Sequence, residues 1–215
     1  MMKSERCLEL AMTGFKIVNL KTLIEISGEE KAKAILSDFS CPMNKDVEQY
    51  LRTKAIEFAK HGWAQTHLVY ASYKHEPVLV GYFTLANKYI HINPVRSKMS
   101  NTLRHRIAGF ATYDSELKCY CMTAPLIGQL GKNYTNEYNK LITGDELLQI
   151  ACDKVKSVQV DMGGKFTYLE CEDKPVLTDF YERNGFFNFG IRQLDTDEKN
   201  DFETTYLVQL LKYLR

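Results

Sequence analysis

The sequence lacks the features that mark several special protein classes. Its 215 residues carry 28 Lys and Arg against 27 Asp and Glu, so the formal net charge is only +1. A net charge this small gives no whole-molecule attraction to nucleic acid. No apolar run approaches the roughly 18 residues that span a membrane, and the opening MMKSERCLELAM lacks a signal-peptide pattern. We therefore expect a cytoplasmic protein with no membrane partner.

The cysteines and histidines form no familiar metal motif. Six cysteines are scattered along the chain without a C-x-x-C pair. The one close pair, Cys119 and Cys121, lies in an apolar run, where a strand would place both side chains on one face rather than around a tetrahedral metal. None of the five histidines has i, i+4 spacing to another histidine or to a cysteine. The sequence therefore predicts buried, reduced thiols and no metal site.

What the sequence does contain is the pattern of a mixed α/β protein. Alternating or continuous apolar runs predict strands over 14–20, 66–73, 78–85, 119–130, 166–171, 186–194 and 202–211. Amphipathic spacing predicts helices over 29–36, 143–160 and 176–183, and from Asn44 or Asp46 to a stop at Gly62. This order, without internal repeats or linkers, favours one layered structure in which helices flank a mixed sheet.

One segment is locally basic. Between Asn87 and Tyr113 there is no acidic residue, and the basic residues are Lys88, Arg96, Lys98, Arg104 and Arg106. Such a segment can bind the phosphate groups of RNA. An exposed amphipathic helix with solvated basic side chains explains the pattern equally well.

The strongest local signal for chemistry is Thr143-Gly144-Asp145-Glu146, which follows the strand ending LIGQLGKN. Thr143 and Glu146 have the spacing of a capping box, so a helix should begin here. Its first backbone amides, with Gly144 allowing close approach, can bind an anion such as phosphate. The alternative is a plain connection, because Asp145 and Glu146 already occupy the positive end of the helix dipole.

A resemblance to a known family is carried by LECEDKPVLTDFYERNGFFNFG, in which a predicted helix ends FYERNGF. Here the chain resembles the GNAT superfamily of acetyl-CoA-dependent N-acetyltransferases. The stretch from FSCPMNKDVEQYLRTKAIEFAKHGW to VLVGYFTLANK is similar to the branch that includes aminoacyl-tRNA-acetylating toxins. The resemblance implies a single GNAT-like α/β domain over 1–215, with an insertion at 93–118.

The resemblance also implies acetyl-CoA as co-substrate and assigns its contacts. PLIGQLGKN matches the strand whose exposed backbone pairs with pantetheine, so Leu130, Gly131 and Lys132 would hold the pantetheine arm. The family's phosphate loop falls on 139–144, where the match is poor because Ile142 replaces a usual glycine. The implied contacts at this loop and the following helix start are Asn139, Lys140, Thr143, Gly144 and Asp145.

Tyr181 matches the tyrosine that in many family members donates a proton to the departing CoA thiolate. A thiolate with a pKa near 8.5 gains from a donor beside its sulfur. A tyrosine that only packs the core is the alternative. The family often uses a glutamate on its fourth or fifth strand as a base that acts through water. The fourth strand of this chain has Gln129 instead, which leaves Glu170. Glu170 fits better as a solvated or structural carboxylate at a strand end.

The function implied is acetyl transfer from acetyl-CoA to a primary amine, in a small amine, amino acid or peptide, by direct attack with Tyr181 as general acid. The alternatives are toxin-like acetylation of aminoacyl-tRNA, which makes tRNA a partner, and a non-catalytic acyl-CoA-binding regulatory module. The acidic segment 195–201 can attract a cationic amine, although a solvated turn explains it more simply. A homodimer is a further expectation.

Overall fold

The computed structural model describes residues 14–95, 97, 99–196 and 204–215. One cysteine, two residues of the basic segment and four of the acidic segment 195–201 lie outside these ranges: Cys7, Arg96, Lys98, Asp197, Glu198, Lys199 and Asp201. Within the described residues the chain forms eight strands and seven α-helices. This confirms the mixed α/β class. None of the helices in these ranges is both long and apolar enough to cross a membrane.

The first part of the chain forms a strand, a set of helices and a hairpin. The elements are β1 (Phe15–Asn19), α1 (Leu20–Ser27), α2 (Glu29–Ser37), α3 (Lys45–Gln49), a π-helical turn (Tyr50–Lys54), α4 (Ala55–His61), β2 (Gln65–Tyr73) and β3 (Glu76–Ile92). Asn44 caps α3 by accepting a hydrogen bond from the Val47 amide at 3.2 Å. Gly62 ends α4 in the left-handed conformation, with φ of 77°. Both predicted ends of this helical stretch are therefore confirmed.

The rest of the chain supplies the remaining strands and helices. They are α5 (Asn101–Ala108), β4 (Thr112–Asp114), β5 (Cys119–Lys132), a 3₁₀ segment (Thr135–Leu141), α6 (Gly144–Met162), β6 (Phe166–Cys171), α7 (Pro175–Arg183), β7 (Phe187–Gln193) and β8 (Tyr206–Tyr213). The strand order in the sheet is β1-β2-β3-β5-β6-β8-β7, with β4 beside β5. Most neighbours are antiparallel, whereas β5 and β6 are parallel.

The structure adds a helix and a short strand that the sequence patterns missed, and it lengthens one predicted strand. Helix α1 follows β1 directly, because the Asn19 side chain accepts from the Thr22 amide and caps it at once. Strand β3 continues to Ile92, since Ile90 and Ile92 alternate into the core. Strand β4 has only three residues, too few to give a periodic signal.

The chain divides into two compact units. One unit comprises the residues up to Leu85 together with Gln129–Ile150, and the other comprises Ala86–Gly128 with Ala151–Arg215. The first has a core of buried side chains that includes Leu20, Phe39, Leu51, Leu68 and Tyr82. The second has its own core, which includes Ile92, Ile107, Phe166, Phe189 and Leu211. Whether 1–215 acts as one domain with an insertion at 93–118 stays a prediction.

Candidate functional site

The end of β5 carries the three residues assigned to the pantetheine arm. Gly131 sits in tight packing, because a Cβ added there would lie 2.3 Å from Val47 Cγ1. A Cβ added at Gly81 would lie 2.8 Å from the Gly131 carbonyl oxygen. Gly131 therefore needs glycine because of the Val47 side chain on α3, and Gly81 needs it for the close approach of β3 to the end of β5. Leu130 and Lys132 on either side are half-buried.

Lys132 holds the loop that follows β5. Its Nζ donates to the backbone carbonyl oxygens of Asn139 at 3.1 Å and Ile142 at 3.2 Å. The ammonium group of Lys132 therefore fixes the shape of the loop that leads to α6. Ile142, which stands where the family usually has glycine, has an extended backbone and a buried side chain.

The 3₁₀ segment contains the remaining loop residues. Asn136 and Glu137 both have positive φ, at 51° and 60°, which breaks the segment in the middle. The exposed ammonium group of Lys140 pairs with the Glu137 carboxylate. The positive charge of Lys140, which the resemblance places at the phosphate loop, is therefore already balanced within the loop.

Asn133 anchors this loop, and the sequence patterns gave no signal for it. Its side chain is 3% exposed. The amide nitrogen donates to the Leu79 carbonyl at 2.8 Å, and the oxygen accepts from the amides of Ser40 at 3.0 Å and Thr135 at 3.1 Å. One buried side chain thus ties the start of the loop to β3 and to the turn after α2.

Replacing Asn133 with alanine should lower the free energy of unfolding by about 2 to 4 kcal/mol, because one buried and two partly buried backbone groups lose their partner. Chemical denaturation of the two proteins measures the change. Asn101→Ala, at an exposed position in α5, is the matched control and should change stability by less than about 0.5 kcal/mol. An equal effect of the two substitutions would contradict the anchoring role.

The predicted capping box is present at the start of α6. The Glu146 amide donates to Thr143 Oγ1 at 3.1 Å, and the Thr143 amide donates to Glu146 Oε2 at 2.8 Å. The Thr143 hydroxyl also donates to the same carboxylate oxygen at 2.8 Å. These bonds from Thr143 hold the pKa of Glu146 below its ordinary value. The helix start is therefore fixed just after the loop that Lys132 holds.

Thr143→Ala should lower the free energy of unfolding by about 1 kcal/mol at neutral pH, because α6 loses its cap. Chemical denaturation of the two proteins measures this change.

The carboxylate of Glu146 should make stability depend on pH. Its contribution to the free energy of unfolding is fully present above its unfolded pKa of about 4.3 and is lost as the pH falls through the lower folded pKa. Unfolding of the native protein and of Glu146→Gln at pH 7 and pH 3 tests this. A stability difference that is the same at both pH values would contradict it.

Strands β5 and β6 pair at a single position. The parallel ladder consists of Leu126 opposite Tyr168, while β5 continues to Lys132. The Thr167 hydroxyl adds one bond to the Pro125 carbonyl at 3.0 Å. Among the described residues, the part of β5 beyond Leu126 has no ladder partner on β6.

Gln129, in that last part of β5, is held by side chains. Its backbone amide donates to Thr84 Oγ1 at 2.8 Å, and its side-chain amide donates to Asp46 Oδ2 at 3.0 Å. The position where the family often has a base thus carries a neutral amide that is engaged with Asp46.

Tyr181 lies in α7, close to the end of this helix. Its backbone carbonyl accepts hydrogen bonds from the amides of Asn184 and Phe186, each at 3.1 Å, and Gly185 between them has φ of 81°. This is the physical basis of the FYERNGF junction, since glycine adopts the left-handed conformation without strain. Burial raises the pKa of the Tyr181 hydroxyl, and the neighbouring Cys171 adds to the shift. The phenol therefore stays protonated at neutral pH.

Glu170 belongs to a polar network on β6, β7 and β8. Arg192 donates to both of its carboxylate oxygens, through Nε at 2.8 Å and Nη2 at 2.7 Å. Tyr168 and Gln209 also donate to Glu170. A carboxylate bound on both oxygens by a guanidinium fits a structural role.

A surface cleft of about 550 Å³ lies elsewhere in the second unit. Its walls are formed by Ser97, Glu182 and the residues from Phe186 to Gly190. It contains neither Tyr181 nor any residue that the sequence assigned to cofactor binding.

Comparison with known proteins gives similarity at the level of the fold. No family model matches the sequence, and no curated protein matches it. The chain is similar in fold to AtaT complexed with acetyl-methionyl-tRNAfMet, with a TM-score of 0.61 and 14% identity over 93% of this chain and 94% of that one. It is also similar to a tyrosine-to-phenylalanine mutant of KacT, with a TM-score of 0.56 and 14% identity over 92% and 95%.

A third similar structure is AtaTR bound with acetyl-CoA, with a TM-score of 0.52 and 15% identity over 94% of each chain. All three likenesses extend over nearly the whole chain, although few residues are identical. The chain therefore has the GNAT-like mixed α/β fold that its sequence resemblance implies.

Proposed function

We propose that this protein transfers an acetyl group from acetyl-CoA to a primary amine. The observation that carries the proposal is the single ladder pair between β5 and β6, beyond which β5 continues with no partner on β6. A strand with unpaired backbone groups can pair with an extended amide-containing molecule. Pantetheine, with its two amide groups, is such a molecule. The GNAT-like fold supports the same assignment.

The loop after β5 would bind the phosphates of acetyl-CoA through backbone amides more than through charged side chains. Lys132 is occupied by the carbonyls of Asn139 and Ile142, and Lys140 pairs with Glu137. The phosphates would therefore meet the start of α6 at Thr143 and Gly144, where a helix N-terminus favours negative charge. Asp145 and Glu146 weaken that preference, because both add negative charge to the first turn.

In the proposed reaction the amine nitrogen attacks the thioester carbonyl carbon. A C–N bond forms, the C–S bond breaks, and the sulfur leaves with the electron pair. The Tyr181 hydroxyl, kept protonated by its raised pKa, donates its proton to this sulfur. The proton lost by the amine passes to solvent, and solvent returns a proton to the Tyr181 phenolate, so the phenol is restored for the next turnover.

Aminoacyl-tRNA is the second candidate acceptor, alongside a small or peptide amine. It is favoured by the similarity to AtaT, which was solved with acetyl-methionyl-tRNAfMet. In this chain, the side chains of Lys88 and Arg104 are exposed. Arg106 instead stacks its guanidinium on the Tyr213 ring at 4.7 Å, and Arg104 also donates to the Pro94 carbonyl at 3.1 Å. The basic segment therefore has structural roles as well as exposed charge.

Charge reversal separates the two acceptors. If the acceptor is aminoacyl-tRNA, Arg104→Glu combined with Arg106→Glu should weaken its binding. In the parent protein, the logarithm of the affinity for aminoacyl-tRNA should also fall with the logarithm of the salt concentration, at a slope of roughly −0.7 to −0.9 per phosphate contact. Lys21→Glu with Lys31→Glu, both exposed, is the matched control for net charge. Amine acetylation that is unaffected by the Arg104 and Arg106 reversals, without any tRNA acetylation, would support a small or peptide amine.

The proposal itself is tested by acetyl-CoA binding and thiol release. Acetyl-CoA should raise the melting temperature, and free CoA should appear when an amine panel is added. Binding without thiol release for any amine or charged tRNA would identify a non-catalytic acyl-CoA-binding module. Absence of acetyl-CoA binding would contradict both the acetyltransferase and the non-catalytic acyl-CoA-binding module.

A further inference from the structure

Three potential metal ligands meet on neighbouring strands of the second unit, although the sequence indicated no metal site. They are His91 on β3 and Cys119 and Cys121 on β5. Their ligand atoms all lie within 4.8 Å of one another. Strand geometry places the two cysteines on one face, as expected, and the neighbouring strand β3 supplies the third group.

The distances in this cluster match those around a tetrahedral metal. The two Sγ atoms are 3.6 Å apart, and His91 Nδ1 lies 3.6 Å from Cys119 Sγ and 3.9 Å from Cys121 Sγ. With Zn–S bonds of about 2.3 Å and a Zn–N bond of about 2.05 Å at the tetrahedral angle, sulfurs lie about 3.8 Å apart and sulfur and nitrogen about 3.6 Å apart. A metal ion therefore fits between the three atoms with little movement.

The surroundings favour a cation that is partly open to solvent. Cys119 is 5% and Cys121 is 6% exposed, whereas His91 is exposed. Asp114 lies opposite Cys119 in the β4–β5 ladder and places a negative charge on that side of the cluster. Its Oδ1 accepts from the amides of Glu116 and Leu117 at 2.9 and 2.8 Å, which holds the carboxylate at the end of β4. Three protein ligands with one solvent-facing side leave a fourth position for water.

We propose that His91, Cys119 and Cys121 bind one thiophilic metal ion of tetrahedral preference, of the Zn²⁺ class, with water as fourth ligand. Two thiolates and one imidazole select such an ion over Mg²⁺ or Ca²⁺, which prefer oxygen ligands. The ion would join β3 to β5 and so stabilise the second unit. This site is independent of the proposed acetyl transfer.

Cobalt binding tests the site without any activity assay. The full-length protein, stripped of metal and kept reduced, is titrated with Co²⁺ alone. We expect one Co²⁺ per chain, with a thiolate charge-transfer band and intense d–d bands of tetrahedral cobalt, and loss of both when Zn²⁺ is added. Zn²⁺ at a hundredfold excess over its Kd should raise the melting temperature by roughly 5 to 10 °C.

Matched variants locate the ion. His91→Ala changes an exposed side chain, and Cys121→Ser is a second, separate variant. Each should weaken Co²⁺ binding at least about tenfold or abolish the bands. His105→Ala, also exposed, and Cys41→Ser, in the first unit, should leave the titration unchanged. The proposal is overturned if tetrahedral cobalt bands do not appear, or if they persist with equal affinity in His91→Ala. Circular dichroism of each variant confirms that it is folded.

Discussion

Tyr181→Phe should lower the turnover number of acetyl transfer by about 10²- to 10⁴-fold, while the affinity for acetyl-CoA stays unchanged. Only a hydroxyl is removed, and the ring keeps its edge-to-face packing against Phe180 and Phe186 at 5.0 and 5.9 Å. The loss should therefore fall on the chemical step, where the departing sulfur needs a proton.

Single-turnover kinetics with acetyl-CoA and the best acceptor measure this effect, because they isolate the chemical step. Tyr113→Phe, at an exposed position in β4, is the matched control and should react at the parent rate. Equal single-turnover rates for Tyr181→Phe and the parent protein would eliminate Tyr181 as general acid. A Tyr181→Phe variant that loses acetyl-CoA affinity instead would assign the hydroxyl to binding.

Gly144→Glu should weaken acetyl-CoA binding by about tenfold or more, equivalent to about 1.4 kcal/mol, because it places a carboxylate where phosphates would meet the start of α6. Gly144→Ala adds a small side chain without charge, so it separates the effect of steric bulk from the effect of negative charge. Isothermal titration with acetyl-CoA measures both variants. Unchanged affinity in a folded Gly144→Glu variant would contradict phosphate binding at this helix start.

The elements and motifs that sequence patterns predicted correctly are set by local interactions. The capping box of Thr143 and Glu146 joins residues three apart, and Asn44 and Val47 show the same spacing at α3. The FYERNGF junction depends on Gly185, whose left-handed backbone follows directly from its residue type. In each case the residues that determine the structure are close in sequence, so the pattern contains the whole signal.

The contacts that the sequence did not reveal join distant residues. Asn133 accepts a hydrogen bond from the Ser40 amide, 93 residues away, and His91 meets Cys119, 28 residues away. Both contacts depend on which strands and turns are neighbours in the folded chain, and spacing along the sequence does not encode this. Lys132 is a related case. The resemblance assigns it to pantetheine, whereas its ammonium group donates to the loop carbonyls of Asn139 and Ile142, seven and ten residues away.

Acetyl-CoA should be a substrate of this protein, and an amine should receive its acetyl group. This is measured by incubating the protein with isotope-labelled acetyl-CoA, an amine panel and charged tRNA, followed by mass spectrometry. We expect a labelled acetyl group on the acceptor nitrogen, with one CoA released for each acetyl transferred and a much lower yield with Tyr181→Phe. Intact labelled acetyl-CoA, with no acetylated acceptor in any reaction, would contradict it.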